Sequence, residues 1–210
     1  MRSNRLMGLV LGFGICGVFP IARVHAAPMD FDFKDPKSVN SIVFVLDSLI
    51  EPIVGLASGT SGTVSFDPEQ PKSLKGTLTI DAASLHTANK GMKDTLHNSE
   101  WLDVKKHPKI EFKIKEVKES KKEKDTFELQ VVGDMTCRGV TKAITVPVKV
   151  NYLPGKLSNR QRGTEGDLLI LRSDFSITRK DFGIKPDMGP DVVAEEIQIK
   201  VSIAGGSPKK

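Results

Sequence analysis

Aromatic side chains with a polar handle are nearly missing from this chain, which has one tyrosine (Tyr152) and one tryptophan (Trp101) in 210 residues. Two such residues cannot supply the aromatic girdles that a lipid-facing barrel carries at both membrane interfaces. Cysteine is almost as scarce, with only Cys16 and Cys137. Long apolar runs are confined to the N-terminus, where Arg2 and Arg5 precede "LMGLVLGFGICGVF" and then "ARVHA". Val24 and Ala26 are placed for a signal peptidase, so residues 1–26 read as a cleaved secretory signal, too short and wrongly flanked for a membrane span. A lipidated Cys16 does not fit, because Phe13 and Ile15 are not small residues. No later segment approaches the roughly 18 apolar residues of a spanning helix, so no transmembrane anchor is expected. Only Cys137 outlasts cleavage, which excludes an internal disulfide and leaves residues 27–210 to fold as one domain on their core alone.

Signatures of catalysis are also lacking. The sequence contains no GxSxG, P-loop or HExxH. His86, His97 and His107 lie too far apart for the close pairs of a zinc site, and Cys137 sits in "TCRGVTK" without a histidine motif. Asp174 and Asp181 are carboxylates whose proximity sequence does not establish. No enzyme, metal or cofactor is expected. The formal charge of +5 falls by three once Arg2, Arg5 and Arg23 leave with the signal, and bases alternate with acids in "KIKEVKESKKEKD". That run reads as a solvated hairpin, and no nucleic-acid partner is expected.

What the chain does have is alternation. Ile42, Phe44 and Leu46 mark a first strand, Val64 and Phe66 a second, and Leu74, Leu78 and Ile80 a third. Ile110, Phe112 and Ile114 mark a fourth, and Phe127, Leu129 and Val131 a fifth. Ile144, Val146, Val148 and Val150 follow, then Leu169, Leu171, Phe175 and Ile177, and last Ile197, Ile199, Val201 and Ile203. Turn signals separate these segments ("DPEQPKS", "ESKKEKD", "CRGVTK", "LPGKLSNRQRG", "KPDMGPD"), and the short gaps require antiparallel pairing. Eight such strands hide one apolar face by closing into a barrel or by stacking as a sandwich, and closure also removes the edges. An eight-stranded barrel is either filled by its side chains or holds one small ligand, and patterning alone leaves both open.

One segment breaks the pattern. "TANKGMKDTLHNSEWLDV" places Met92 and Leu96 on one helical face, and Asn98 or Ser99 is positioned to cap a second turn carrying Trp101 and Leu102. Pro108 forces His107 into extended geometry and ends the interruption. A helix this short is marginal alone, so a helical segment over about 89–103 is expected to dock on one end of the barrel, as a plug or as a lid.

Taken in order, these stretches resemble the YceI-like family, exported bacterial lipid-binding barrels of lipocalin-like shape. The resemblance is carried by "VNSIVFVLD" with "SGTSGTVSFDPEQPKS", "TIDAASLHTAN", "LHNSEWLDVKKHPKIEFK", "GDMTCRGVTKAITVPV" and "ITRKDFGI", from about residue 30 to 204. It implies a periplasmic, eight-stranded antiparallel lipocalin-like barrel that is not an enzyme. Its pocket would hold a non-covalently bound polyisoprenoid (isoprenoid quinone or polyprenol type) or fatty-acid derivative, with the helix beside the entrance. The expected pocket wall is Phe44, Leu46, Leu78, Ile80, Phe112, Ile114, Leu129, Val131, Val146, Val148, Phe175, Ile177, Ile199 and Val201, with Met92, Leu96 and Trp101 at the mouth. Asp47 stands where the family commonly has a histidine at the end of the first strand, and is added as a headgroup candidate. Met92, Lys93 and Thr95 replace a family Arg-Asp pair and histidine, and His107 a tyrosine, so headgroup preference does not carry over. A filled barrel serving as a stress-response or protein-interaction module is the alternative, an enzyme acting on a lipid headgroup the least expected reading, and a homodimer stays open.

Overall fold

A computed structural model describes residues 28–209; the expected signal segment lies outside them. Eleven strand segments form one antiparallel sheet, in the order β1-β4-β5-β7-β8-β9-β10-β11-β2-β3-β6, with an added β1–β11 pairing. They are β1 (Met29–Asp32), β2 (Ser41–Leu46), β3 (Ile53–Ala57), β4 (Thr60–Phe66), β5 (Lys75–Asp81), β6 (His86–Thr87), β7 (Lys109–Glu123), β8 (Thr126–Cys137), β9 (Val140–Leu153), β10 (Gly166–Thr178) and β11 (Glu196–Pro208). Because β1 returns to β11, the ring β1-β4-β5-β7-β8-β9-β10-β11 is closed and eight strands round. The sheet is a barrel and not a sandwich.

The remaining three segments continue strands already in the ring. β1 and β2 both lie along the same edge of β11, meeting it at Asp32↔Gly206 and at Ile42↔Val201. β3 runs into β4 through Ser58 and Gly59, and β5 reaches β6 through a 3₁₀ turn at Ala82–Ser84. The first three strands of the barrel are therefore each broken once. Asn40 stitches the first break: its amide donates to Thr60 Oγ1 (3.0 Å), and its carbonyl oxygen accepts from Ala204 N (2.9 Å) and Arg160 (2.8 Å). Gly62 and Gly76 hold φ of +113° and +141° on neighbouring strands. A Cβ on either would lie 2.1–2.2 Å from the facing carbonyl, so the strands take this conformation and approach this closely only because both residues are glycine.

Below the breaks the ring is complete; above them β6 pairs only with β3, and a gap opens before β7. The helix α1 (Lys90–His97) occupies this end, with Asn89 Oδ1 accepting from Met92 N at 3.0 Å as its N-cap. The helix is shorter than the expected 89–103. Asn98 ends it and takes the second capping role, its Oδ1 accepting from Glu100 N (2.9 Å) and Trp101 N (3.2 Å). The hairpin between β7 and β8 is also tighter than "ESKKEKD" suggests, since the strands run on to Glu123 and from Thr126. Lys121 and Glu123 pair on the extension, and Lys122 lies 5.1 Å above the Phe127 ring.

The rim at the helix end is tied together by Arg179, which has no solvent exposure. Its guanidinium donates to the carbonyls of Ala194 (3.2 Å), Ile184 (2.9 Å), Lys185, Met188 (3.0 Å) and Val193 (3.2 Å), so every N–H has an acceptor and none is a carboxylate. Burial lowers its pKa, opposed by the nearby Glu195 carboxylate. The loop so held grips the next one, through Glu51 N to Val192 O (3.3 Å) and Ala194 N to Ser48 Oγ (2.9 Å). Replacing Arg179 by leucine strands five carbonyls, and is expected to lower stability by about 3 kcal/mol or more. Urea denaturation reads this as a lower midpoint; an unchanged midpoint would remove Arg179 from this role.

Candidate functional site

Inward-facing side chains divide the barrel into two halves. Toward the β7–β8 hairpin, Phe31, Phe33, Val64, Phe66, Val150 and Leu169 are fully buried, and Phe127 and Leu129 nearly so. Phe66 and Phe127 meet edge-to-face at 5.4 Å, and Phe31 and Tyr152 at 6.3 Å. The Tyr152 hydroxyl donates to Asp167 Oδ2 at 2.7 Å, and burial followed by that bond pushes its pKa up to about 12. This half is packed solid.

Toward the helix the same face of the sheet is only half-buried, at Leu78, Ile80, Phe112, Val148, Phe175, Ile197, Ile199 and Val201. They are exposed to the lumen. There a cavity of about 670 Å³ is walled by these residues together with Phe44, Leu46, Ile114, Val131, Val146 and Ile177, and opens between α1 and the rim loops. A pocket of this size is ordinary for one small ligand. Two rings lie flat on its wall because glycine makes room for them: a Cβ on Gly55 would meet Phe44 at 2.0 Å, and one on Gly133 would meet Phe112 at 2.4 Å.

All the residues expected in the site border this cavity except Asp47 and Leu129. Leu129 faces inward but below the floor, within the plug. Asp47 follows Leu46 off the strand end and is exposed on the outer surface, so it does not reach the lumen. Met92 and Leu96 present the helix to the mouth, and Trp101 packs beside them as expected. Several wall residues were not anticipated. Ile53, Ala57 and Thr87 belong to β3 and β6, which lack a legible alternating signal; Leu85 precedes β6, and Ile184 lies in the loop held by Arg179. Met135 and Cys137 continue the inward parity of β8, a signal already present in Phe127, Leu129 and Val131.

The mouth is fixed by polar contacts and lined by few of them. His97 Nε2 lies 2.6 Å from Leu85 O, Lys185 pairs with Glu100 at 2.9 Å, and Arg138 donates to Ser99 O at 2.8 Å, pinning the helical segment to β6, the Arg179 loop and the β8–β9 turn. Glu51, Asn89 and Thr95 are the polar residues at the entrance. Glu111 and Arg172 also border the cavity, but they alternate with inward Ile110, Phe112, Leu171 and Ser173, which turns their side chains outward. Among the described residues Arg172 is the basic residue that borders the cavity, and it is exposed. Among the described residues, no cluster of His, Cys, Asp and Glu is arranged to hold a metal.

The YceI-like domain model matches residues 35–204. The chain is 30% identical over 157 residues to "Protein YceI" of Escherichia coli O157:H7 and 31% identical over 157 residues to that of Salmonella arizonae, in each case over 75% of both chains. In shape it is similar to Burkholderia cenocepacia BcnA (TM-score 0.62, 24% identity, 79% of this chain and 95% of that one). A polyisoprenoid binding domain from Saccharophagus degradans superposes at TM-score 0.60 with 10% identity, over 86% of this chain and 99% of that one. At these identities the structural likeness speaks for the fold.

The cavity wall offers its own probe. Cys137 is nearly buried there, and desolvation pushes its thiol up to about 12 against a weaker pull from Arg138. Only the thiolate reacts, so at pH 8 alkylation by iodoacetamide should be about a thousandfold slower than for an unfolded control. Labelling at the unfolded rate would place Cys137 outside an apolar wall.

Proposed function

The chain belongs to the YceI-like family, and on that premise we propose that it is an exported binding or carrier protein for a long-chain amphiphile, a polyisoprenoid or a fatty-acid derivative. The observation that carries this reading is the half-hollow barrel: a predominantly apolar wall reaching from the mouth to a sealed floor, interrupted by a few hydroxyl side chains such as Thr60, Thr87 and Ser173 and with its carboxylate and amide groups, Glu51 and Asn89, at the entrance. Such a wall binds by removing hydrocarbon from water, at roughly 25 cal/mol per Å². The Saccharophagus degradans neighbour, described as binding polyisoprenoids, supports the same ligand class. The secretory signal read in residues 1–26 supports a periplasmic location.

Charge narrows the headgroup. Glu51 is the carboxylate at the mouth, and among the described residues the lining offers a phosphate or fatty carboxylate no cation but Arg172, which alternation turns outward. An uncharged head that both donates and accepts hydrogen bonds, such as a hydroxyl, a phenol or a primary amide, suits Glu51, Asn89 and Thr95. On the same rim Leu49 and Ile50 stand exposed beside Val54 and Leu56, so apolar surface continues from the lumen onto the outside at the point of entry. On this reading the protein is a carrier, and turnover of the bound lipid is not expected.

Native mass spectrometry of protein purified without detergent should show a co-purified hydrophobic mass; an apoprotein that also refuses added prenyl alcohols would end the carrier reading. Phe112→Asp sets a carboxylate on the half-exposed wall and is expected to weaken binding by about tenfold or more while the fold survives. Full affinity in a folded variant would move the ligand elsewhere.

A further inference from the structure

The floor of the cavity sets a limit on the tail. Each long strand changes from lumen to plug part-way along its length, on β9 between Val148 and Val150. Val131, Ile203, Leu171 and Ile114 are the last to touch the cavity, and below them Leu129 and Leu169 are sealed. Under that layer the Phe66 and Phe127 rings close the bore. The pocket is therefore blind, with its mouth at the helix end.

The path along its tilted wall strands and its volume agree on the size of what fits. From Ile197 at the rim to Ile203 at the floor the wall runs six residues along β11, about 20 Å at 3.3–3.4 Å per residue. Carbon–carbon bonds of ~1.5 Å advance an extended chain by about 1.3 Å each, so roughly fifteen bonds span that path. The cavity volume of 670 Å³, at roughly 30 Å³ for each water-sized heavy atom, holds about twenty atoms. Both figures describe four prenyl units or an acyl chain of about sixteen carbons.

Resting on the carrier reading, we propose that this barrel is a length-selective receptor, a blind sleeve for a tail of about four prenyl units whose floor, set by Val131 and Ile203 over the Phe66–Phe127 plug, fixes the limit. A longer polyprenyl chain seats its first four units and leaves the rest in water at the mouth, past Trp101 and Leu96. Added units then bring no further burial. Length discrimination lives in the floor and headgroup discrimination at the entrance, at opposite ends of one pocket.

Trp101 is the sole tryptophan and borders the mouth, so its emission reports binding in the intact protein. Titration with uncharged prenyl alcohols of two, three, four, six and eight units should show affinity rising by about tenfold or more per unit up to four. Beyond four it should stay flat, within roughly threefold, because no further apolar area leaves water. Val131→Phe raises the floor and should bring the break to three units. Should that variant not fold, Val201→Phe, whose side chain already faces open lumen, tests the same point. Affinity still climbing at eight units would overturn the proposal, as would a break that stays at four in a folded variant. Failure of every length to bind would instead overturn the carrier reading, and the length limit with it.

Discussion

Inward side chains of an antiparallel sheet eight strands round have only each other to pack against across the lumen. Closure satisfies the backbone and removes the edges, but it fixes the bore, so the size of the inward residues decides whether the barrel is solid or hollow. Here the two outcomes share one molecule. Phe31, Phe33, Phe66 and Phe127 converge at one end and fill it. At the other end the wall is mostly valine, isoleucine and leucine, and two of its aromatic rings are laid flat: Phe44 over Gly55 and Phe112 over Gly133. A side chain at either glycine would lift a ring into the lumen, so these glycines hold the space open as surely as the plug closes it.

Breaks in the first three strands explain why a helix is needed. β3 and β6 leave the ring beyond Gly59 and the Ala82–Ser84 turn, and the wall between β6 and β7 has no strand to complete it. The segment from Asn89 to Pro108 fills that sector with Met92, Leu96, Trp101 and Leu102. Plug and lid are thus a false choice for this segment, because the true plug is aromatic and lies at the opposite end. The helix is wall and entrance together. Its surroundings are held by backbone carbonyls gathered on Arg179, an arrangement that fixes loop geometry without a second buried charge.

Much of this was legible in the sequence, for a physical reason. A half-buried strand must alternate, and all eight alternating runs are strands. β3 was hidden because Val54 and Leu56 are apolar on its outer face, which erases the alternation, and β1 and β6 are too short to show a period. Parity says which residues point inward but not at what height, which is why Leu129 was grouped with Val131 although the floor runs between them. Asp47 is a candidate by family resemblance alone, and alternation turns the residue after Leu46 outward. Arg179 sits within "ITRKDFGI", where a guanidinium reads as solvated; its burial depends on five carbonyls from a loop that no local pattern announces.

Solid and hollow halves also divide the energetics. Opening a dry void inside a packed core costs about 24 cal/mol per Å³. Applied to 670 Å³, that is on the order of 15 kcal/mol, as large as the whole stability of a typical domain. A barrel whose described residues hold a single free cysteine cannot carry such a term, so its lumen must be open to water or occupied. An open mouth meets the first condition by letting solvent in, and the aromatic plug keeps enough of the core intact to hold the barrel while the lumen is wet. A hydrocarbon tail meets the second by displacing that water and restoring the missing contacts, and it stabilises the folded state by mass action as it binds. Retention of the ligand and cohesion of the upper barrel are then one interaction, apolar atoms of the tail against the wall between Ile203 and the mouth.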